Sequence, residues 1–361
     1  MAYPIIEDVN MYLQSLANHV PPTSFRQAEV WNLYRDSKMP QLLRPRSAFI
    51  VEKVLTGENG VDKRHFALTD LNELLEMDAQ GLNRAFEREA PKLATTALLD
   101  ALEQASLKPD ELDVLIVCTC TGYICPGVAS HVAEQAGLRD DAYLLDIVGQ
   151  GCGAAIPCLR NAAGLIAGDE TLRVAVVAVE ICSAAFYVDD NPGVLVSACL
   201  FGDGASASIW NGKANGGPGW RAFDFDTLHL PEQRQILRFE NQGGKLRNRL
   251  HRSVPQKVGE AVERLFRRSL ERRHDRRVRQ VITHTGGRDV LLAIEERLPE
   301  YDLSPSKAAL RDYGNMSSPS VMFALEAYLK NGDAKGEAPG DLWLSSFGAG
   351  FAAHSFRLTC D

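Results

Sequence analysis

Three short apolar runs constrain this chain more than any other feature. DVLIVCT (Asp113–Thr119) and RVAVVAVEI (Arg173–Ile181) are short apolar runs of the buried-strand kind, and AYLLDIV (Ala142–Val148) reads as the strand between them in sequence. Between them lie segments with helical character. One is expected to open at Pro126 and run to about Gly137, with proline at a first helical position where its missing N–H costs nothing. Another follows Cys152, is rich in Ala and Gly, and runs to about Gly168. Buried strands alternating with helices describe a layered α/β fold.

The rest of the chain continues in the same style. MYLQSLANHV (11–20) reads as an opening strand stopped by Pro21 and Pro22, and residues 24–107 read as polar and helix-compatible. ASASIW (Ala205–Trp210) is a further strand. A helix from about Val254 to Arg273 leads into the strand VRQVITH, which ends at His284. Helices over Val290–Arg297 and after Asn315 follow, and the strands LWLSSF and AAHSFRL close the sequence. Two successive α/β halves, 1–212 and 213–361, imply internal pseudo-symmetry, although no direct repeat joins them. No low-complexity linker separates the halves, which favours one unit over two tethered domains.

Charge and cysteine content exclude several functions. With 39 Lys+Arg against 47 Asp+Glu, the net charge of −8 makes a general nucleic-acid binder a poor reading. Eight Cys in 361 residues are too sparse for a disulfide-stapled secreted scaffold. MAYPIIEDVN has neither a basic nor an apolar leader region, and VAVVAV (Val174–Val179) is too short to cross a bilayer. The expectation is a soluble cytoplasmic protein with reduced thiols and no membrane span.

Cys152 is the most informative residue. In DIVGQGCGAA it follows a strand and opens a helix, where free N–H groups and the positive dipole end favour a thiolate. The flanking glycines let a substrate approach the sulfur closely. His284 ends a strand beside a glycine turn, a position that faces a cleft more readily than a sealed sheet. Asn315, in DYGNMSSPS, sits at a loop-to-helix junction, where the plainer reading is a helix cap. Together they form a Cys/His/Asn set able to supply a nucleophile, its charge partner and a neutral donor to an oxyanion.

The motifs GQGCGAA, FGDGA (Phe201–Ala205), HTGG from His284, YGNMSS around Asn315 and FGAG (Phe347–Gly350) occur in an order that resembles the type III polyketide synthases. These are the chalcone-synthase-like branch of the thiolase superfamily, and the resemblance is nearest to bacterial alkylpyrone and alkylresorcinol synthases. It implies a five-layered αβαβα thiolase-like fold, a homodimer, acyl-CoA and malonyl-CoA as substrates, and no metal or other cofactor. It also implies that Cys152 carries the starter and growing chain as a thioester. His284 and Asn315 would then stabilise the enolate formed as malonyl-CoA loses CO2.

The same resemblance places a gatekeeper at Phe201 and cavity walls at Cys120, Thr121, Cys125, Cys182, Ala185, Ser317 and Phe347. A second family gatekeeper, aromatic in plant members, falls here on Asn248, a departure that argues against a chalcone-type aromatic pocket. Small walls at Ala185 and its neighbours point to a medium or long aliphatic starter and a pyrone or resorcinol-type product. On the CoA side, Lys53 and Gly286 are the candidates, with Lys63 and Arg64 read as structural. The alternatives are an initiating ketoacyl-ACP synthase, or a polyketide synthase taking an aromatic starter or malonyl-CoA alone. A metal site at Cys118, Cys120, Cys125 and His131 is disfavoured, because none is spaced like zinc-binding C-x-x-C pairs. The arginine-rich stretch from Arg264 to Arg279 reads as a solvated helix face.

Overall fold

The computed structural model describes residues 9–214, 219–332 and 340–360. The first eight residues, MAYPIIED, of the N-terminal stretch considered above lie outside them. The chain begins with β1 (Met11–His19) and β2 (Ser24–Arg26), then α1 (Gln27–Asp36), α2 (Met39–Leu42), α3 (Pro45–Thr56) and β3 (Lys63–His65). Two helices follow, α4 (Leu71–Glu76) and α5 (Ala79–Gln104), whose first N–H groups are capped by the Asp70 and Asp78 carboxylates. Next come β4 (Val114–Cys118), α6 (Val128–Ala136), β5 (Tyr143–Ile147), α7 (Ala155–Gly168), β6 (Val174–Glu180), α8 (Pro192–Leu200) and β7 (Gly204–Asn211).

The remaining chain adds β8 (Trp220–His229), the hairpin of β9 (Leu237–Gln242) and β10 (Lys245–Leu250), α9 (Val254–Arg272) and β11 (Val278–Thr283). It finishes with α10 (Arg288–Arg297), α11 (Ser304–Tyr313), α12 (Ser320–Gly332), β12 (Asp341–Gly348) and β13 (Ala352–Cys360).

Nine strands form one mixed sheet in the order β11-β12-β13-β8-β1-β7-β6-β4-β5. β1 and β8 pair antiparallel at its centre, Met11 to Leu13 facing Ala222 to Trp220. On one side β4 runs parallel to both β5 and β6; on the other β11 runs parallel to β12. Three cores separate five layers. α5 and α6 cover the outer face of β4, β6 and β7. α7 and α12 lie in the middle, touching strands from both sides. α9 and α10 cover β11–β13. This is the thiolase-like αβαβα arrangement.

Local sequence explains the layers. α7 contributes alanines at 155, 162 and 163 to the central core, and small side chains let two sheet faces close on one helix. α9 buries Val254, Val258, Ala261, Val262, Leu265, Phe266 and Ser269, a single stripe at helical spacing. The arginines of α9 and of the segment just after it are not merely solvated. Arg272 bonds Asp224 and Asp226 at 2.7 Å each, Arg268 bonds Asp226 at 2.7 Å, and Arg276 bonds Asp341. The basic stretch thus serves as counter-charge for carboxylates on β8 and β12.

Two expectations need correction. α6 starts at Val128, not Pro126, because the Asp146 carboxylate receives the Ala129 N–H there at 3.1 Å and fills the space beside Gly127. Asn315 does not cap a helix; it forms a bridge with Phe201, and α12 begins five residues later. β4 ends at Cys118, which packs in the central core, and the chain then turns, so Cys120 stands beyond the strand. The strands β8, β9 and β10 were not anticipated, since polar and charged residues interrupt their apolar pattern.

Candidate active site

The site is built where four chain segments meet at one end of the central layer. Cys152 occupies a single tight turn, Gly151–Gly153, immediately before α7, and is 9% exposed. The turn needs its glycines. Gly149 and Gly151 have φ of +83° and +58°, and the loop after β12 presses against it from below. A Cβ on Gly348 would stand 2.7 Å from the Gly153 nitrogen and 3.0 Å from that of Cys152.

Around the sulfur, the Ser317 hydroxyl donates to Cys152 at 3.2 Å, while the Cys120 sulfur lies 3.0 Å from the same hydroxyl. Hydrogen bonds from Cys120, His284 and Ser317 and the charge of His284 overcome burial and hold the Cys152 thiol well below its ordinary value. Cys120 is pushed the other way, by its bond to Cys152 and by burial, so it retains its proton.

His284 follows β11 and is held by its backbone N–H on the Ser345 carbonyl at 2.8 Å and by an edge contact with Phe347, ring centres 4.9 Å apart. Asn315 is anchored twice. Its side-chain amide donates to the Gly286 carbonyl at 3.0 Å, and its carbonyl oxygen accepts from the Ser317 N–H at 2.8 Å. That second bond stabilises Ser317 in a left-handed conformation, φ +61°, which aims its hydroxyl at the sulfur. One amide hydrogen of Asn315 and the Nδ1 of His284 have no partner among the described residues.

Two spaces converge here. A tunnel of about 1,680 Å³ passes Lys53, Gly286 and Phe347 and reaches Cys152, His284 and Asn315. A chamber of about 450 Å³ lies beyond, lined by Cys120, Thr121, Cys182, Ala185, Asn248 and Ser317. Phe201 lines both, where a gate would stand. Asn248 also lines both and donates to Ser197 at 2.7 Å, which fixes its side chain at the junction. Cys125 is the one wall candidate placed elsewhere: it is exposed and apart from the chamber, because the chain leaves the sheet after β4 and heads outward to α6.

Two residues were missed. Phe239, on β9, lines the tunnel and the chamber together, and its strand was unassigned. Glu180 ends β6 fully buried and accepts from Ser318, Thr119, Thr121 and the Cys120 N–H at 2.5, 3.2, 2.8 and 2.9 Å. Burial raises its pKa, and so, more weakly, does the Cys152 charge. An acid at the end of an apolar strand was the available signal. Among the described residues no group of three His, Cys, Asp or Glu could hold a metal ion, and no helix is long and apolar enough to cross a membrane.

A deeply buried thiolate flanked by a histidine and an asparagine, at the end of a tunnel in a thiolase-like fold, defines a condensing enzyme that works through an acyl-thioester. Residues 7–216 match the family model of FAE1/type III polyketide synthase-like proteins, and residues 227–359 match the C-terminal domain of chalcone and stilbene synthases. The chain belongs to the type III polyketide synthase family, whose members are malonyl-CoA-dependent, acyl-transferring condensing enzymes. The phloroglucinol synthase of Pseudomonas fluorescens is 27% identical over 81% of this chain and 86% of its own. The 3,5-dihydroxyphenylacetyl-CoA synthase of Streptomyces toyocaensis is 28% identical over 87% and 81%. The crystal structure of PKS-I from the brown alga Ectocarpus siliculosus superposes with a TM-score of 0.88 at 21% identity, covering 97% of this chain and 98% of that one. These matches set aside the ketoacyl-ACP synthase alternative.

Proposed function

We propose that this enzyme loads an acyl-CoA starter on Cys152, extends it with malonyl-CoA and cyclises the product in the chamber beyond Phe201. The observation that carries this reading is the depressed Cys152 thiol, set between His284, Ser317 and Cys120 at the end of the tunnel. The thiolate attacks the starter thioester and CoA leaves as its thiolate. Malonyl-CoA then enters, and His284, released from the sulfur once it is acylated, and the unpartnered amide hydrogen of Asn315 donate to the thioester oxygen as CO2 departs. The resulting enolate carbon attacks the Cys152 thioester and releases the sulfur. Loss of CO2 supplies the carbanion, so no strong base is needed, and neutral Asn315 stabilises the oxyanion without repelling it. Lys53 at the tunnel mouth would meet CoA phosphate, and the positive-φ backbone at Gly286 admits the pantetheine arm closely. No metal or redox group enters these steps.

For the starter we infer a medium or long aliphatic acyl group and a pyrone or resorcinol-type product. Ala185, Cys182 and Cys120 keep the chamber wall low, and Asn248 stands where an aromatic would narrow it. A second reading has a specific observation behind it. The relatives are named for phloroglucinol and 3,5-dihydroxyphenylacetyl-CoA, hydroxylated rings without an alkyl tail, which favours malonyl-CoA alone. The deciding experiment supplies labelled malonyl-CoA with acetyl-, hexanoyl-, lauroyl-, palmitoyl- or coumaroyl-CoA, read by mass spectrometry. Products carrying the aliphatic tail support the first reading; the same product from every mixture supports the second.

We further propose a cytoplasmic homodimer. β5 is the terminal strand of the sheet, and Tyr143 at its start, Val148 just after its end and Tyr123 are exposed. An unpaired strand edge with apolar side chains favours cover by a second copy. Sedimentation equilibrium giving the monomer mass at micromolar concentration would refute it.

A further inference from the structure

A second cavity of about 840 Å³ lies behind the reaction chamber, on the other side of α8. The helix presents Val194 and Ser197 to the reaction chamber and Leu195, Ala198 and Cys199 to this one. Phe186 is the side chain common to both. Side chains of α1, α3 and α4, among them Val30, Val51, Leu55 and Leu74, make its wall almost wholly apolar.

Arg64 and Tyr34, unlike the other polar lining residues Thr69 and Tyr187, bring buried polar atoms without a partner to that wall. Arg64 lines the cavity and is fully buried. Its Nε donates to Gln27 at 2.9 Å, and its Nη1 donates to the carbonyls of Ala198 and Phe201 at 2.8 Å each. Its Nη2 has no partner, and among the described residues no carboxylate pairs with it. Tyr34, 5% exposed, also lines the cavity, and its hydroxyl has no partner either. Burial lowers the Arg64 pKa only to about 10, so the guanidinium stays charged at neutral pH. A buried cation with a spare donor, a spare phenol and an apolar wall are complementary to an anion on a hydrocarbon chain.

We propose that this cavity is a binding site for an aliphatic carboxylate, separate from the reaction chamber. The hydrocarbon chain packs against the α1, α3 and α4 side chains, and the carboxylate accepts from Arg64 Nη2 or the Tyr34 hydroxyl. The claim does not depend on which starter the enzyme takes.

Titration calorimetry of the full chain with decanoate, with decanol as control, tests it. One decanoate per chain is expected, bound at least tenfold more tightly than decanol. Tyr34→Phe, which removes only the hydroxyl, should weaken decanoate severalfold. Leu74→Trp, which fills the cavity, should weaken it more than tenfold. Ala185→Phe, which fills the reaction chamber, should leave decanoate affinity unchanged. No decanoate binding, equal affinity for decanol, or loss of binding in Ala185→Phe with none in Leu74→Trp and Tyr34→Phe would overturn the site. Arg64→Gln is the less informative variant, because Arg64 also holds the Phe201 carbonyl.

Discussion

Ser317 donates its hydroxyl proton to the Cys152 sulfur across 3.2 Å, and the same oxygen stands 3.0 Å from the Cys120 sulfur. Two thiols thereby share one hydroxyl yet hold opposite charge states, Cys152 favouring the thiolate and Cys120 the thiol.

The first prediction concerns pH. A thiol with a depressed pKa reacts at low pH, so iodoacetamide should alkylate Cys152 with a midpoint well below that of a free thiol, about 8.5. Removing a donor to the thiolate disfavours the charged form, so Cys120→Ala and Ser317→Ala should each move the midpoint up and slow alkylation at pH 6. Cys199, pushed up to about 12 by burial, should remain unmodified throughout. Peptide mass mapping against pH reads all three, and an unmoved midpoint in both variants would refute the donor assignment.

Decarboxylation separates the oxyanion donors from the nucleophile. Cys152→Ala should abolish starter loading and product while still releasing CO2 from malonyl-CoA. His284→Ala and Asn315→Ala should slow CO2 release by about 10²–10³-fold even without a starter, the usual loss for one oxyanion donor. Release at the wild-type rate from either donor variant would remove that residue from the mechanism.

Chamber shape should set chain length. Ala185→Phe and Asn248→Phe each put a ring into a space of about 450 Å³. The product distribution should shift toward shorter starters or fewer extensions, with little change in Cys152 alkylation. An unchanged distribution in both would place the acyl tail elsewhere.

Gly348→Ala tests the floor beneath the nucleophile. Its methyl would meet three backbone atoms of the Gln150–Gly153 turn at 3.0 Å or less, and backbone cannot rotate away as a side chain can. A loss of about 1–3 kcal/mol in stability, the range for overpacking, should accompany a shifted turn and reduced activity. Denaturant melts and turnover measured together check it; an unaffected melt and rate would mean the turn yields freely.

A final prediction addresses the tunnel mouth. Lys53 is exposed on α3 beside the tunnel, so Lys53→Ala should raise KM for malonyl-CoA by about fivefold and leave kcat nearly unchanged, as loss of uniform binding does. A fall in kcat at constant KM would argue that Lys53 acts at the reacting end.

Much of this was legible in the sequence. The short apolar runs specified the strands β4, β5 and β6; β4 and β6 are buried throughout, because a strand covered on both faces leaves no room for polar alternation, whereas β5 forms the partly exposed edge of the sheet. Glycines around Cys152 and after His284 marked positions where the backbone must turn tightly or be approached closely. Motif order then joined Cys152, His284 and Asn315 across 163 positions of chain. What the sequence left open depended on contacts between distant segments. β8 carries charged residues inward because α9 supplies arginines to meet them, a pairing no local pattern shows. Glu180 looks like an exposed strand end until the Cys120 and Ser318 loops close over it. Phe239 joins the wall only through the hairpin it rides on, and Cys125 is carried away from it by the path of the chain. The charge on Cys152 was likewise decided in three dimensions: the helix start made a thiolate plausible, but Cys120, Ser317 and His284, from three other segments, provide the hydrogen bonds that outweigh its burial.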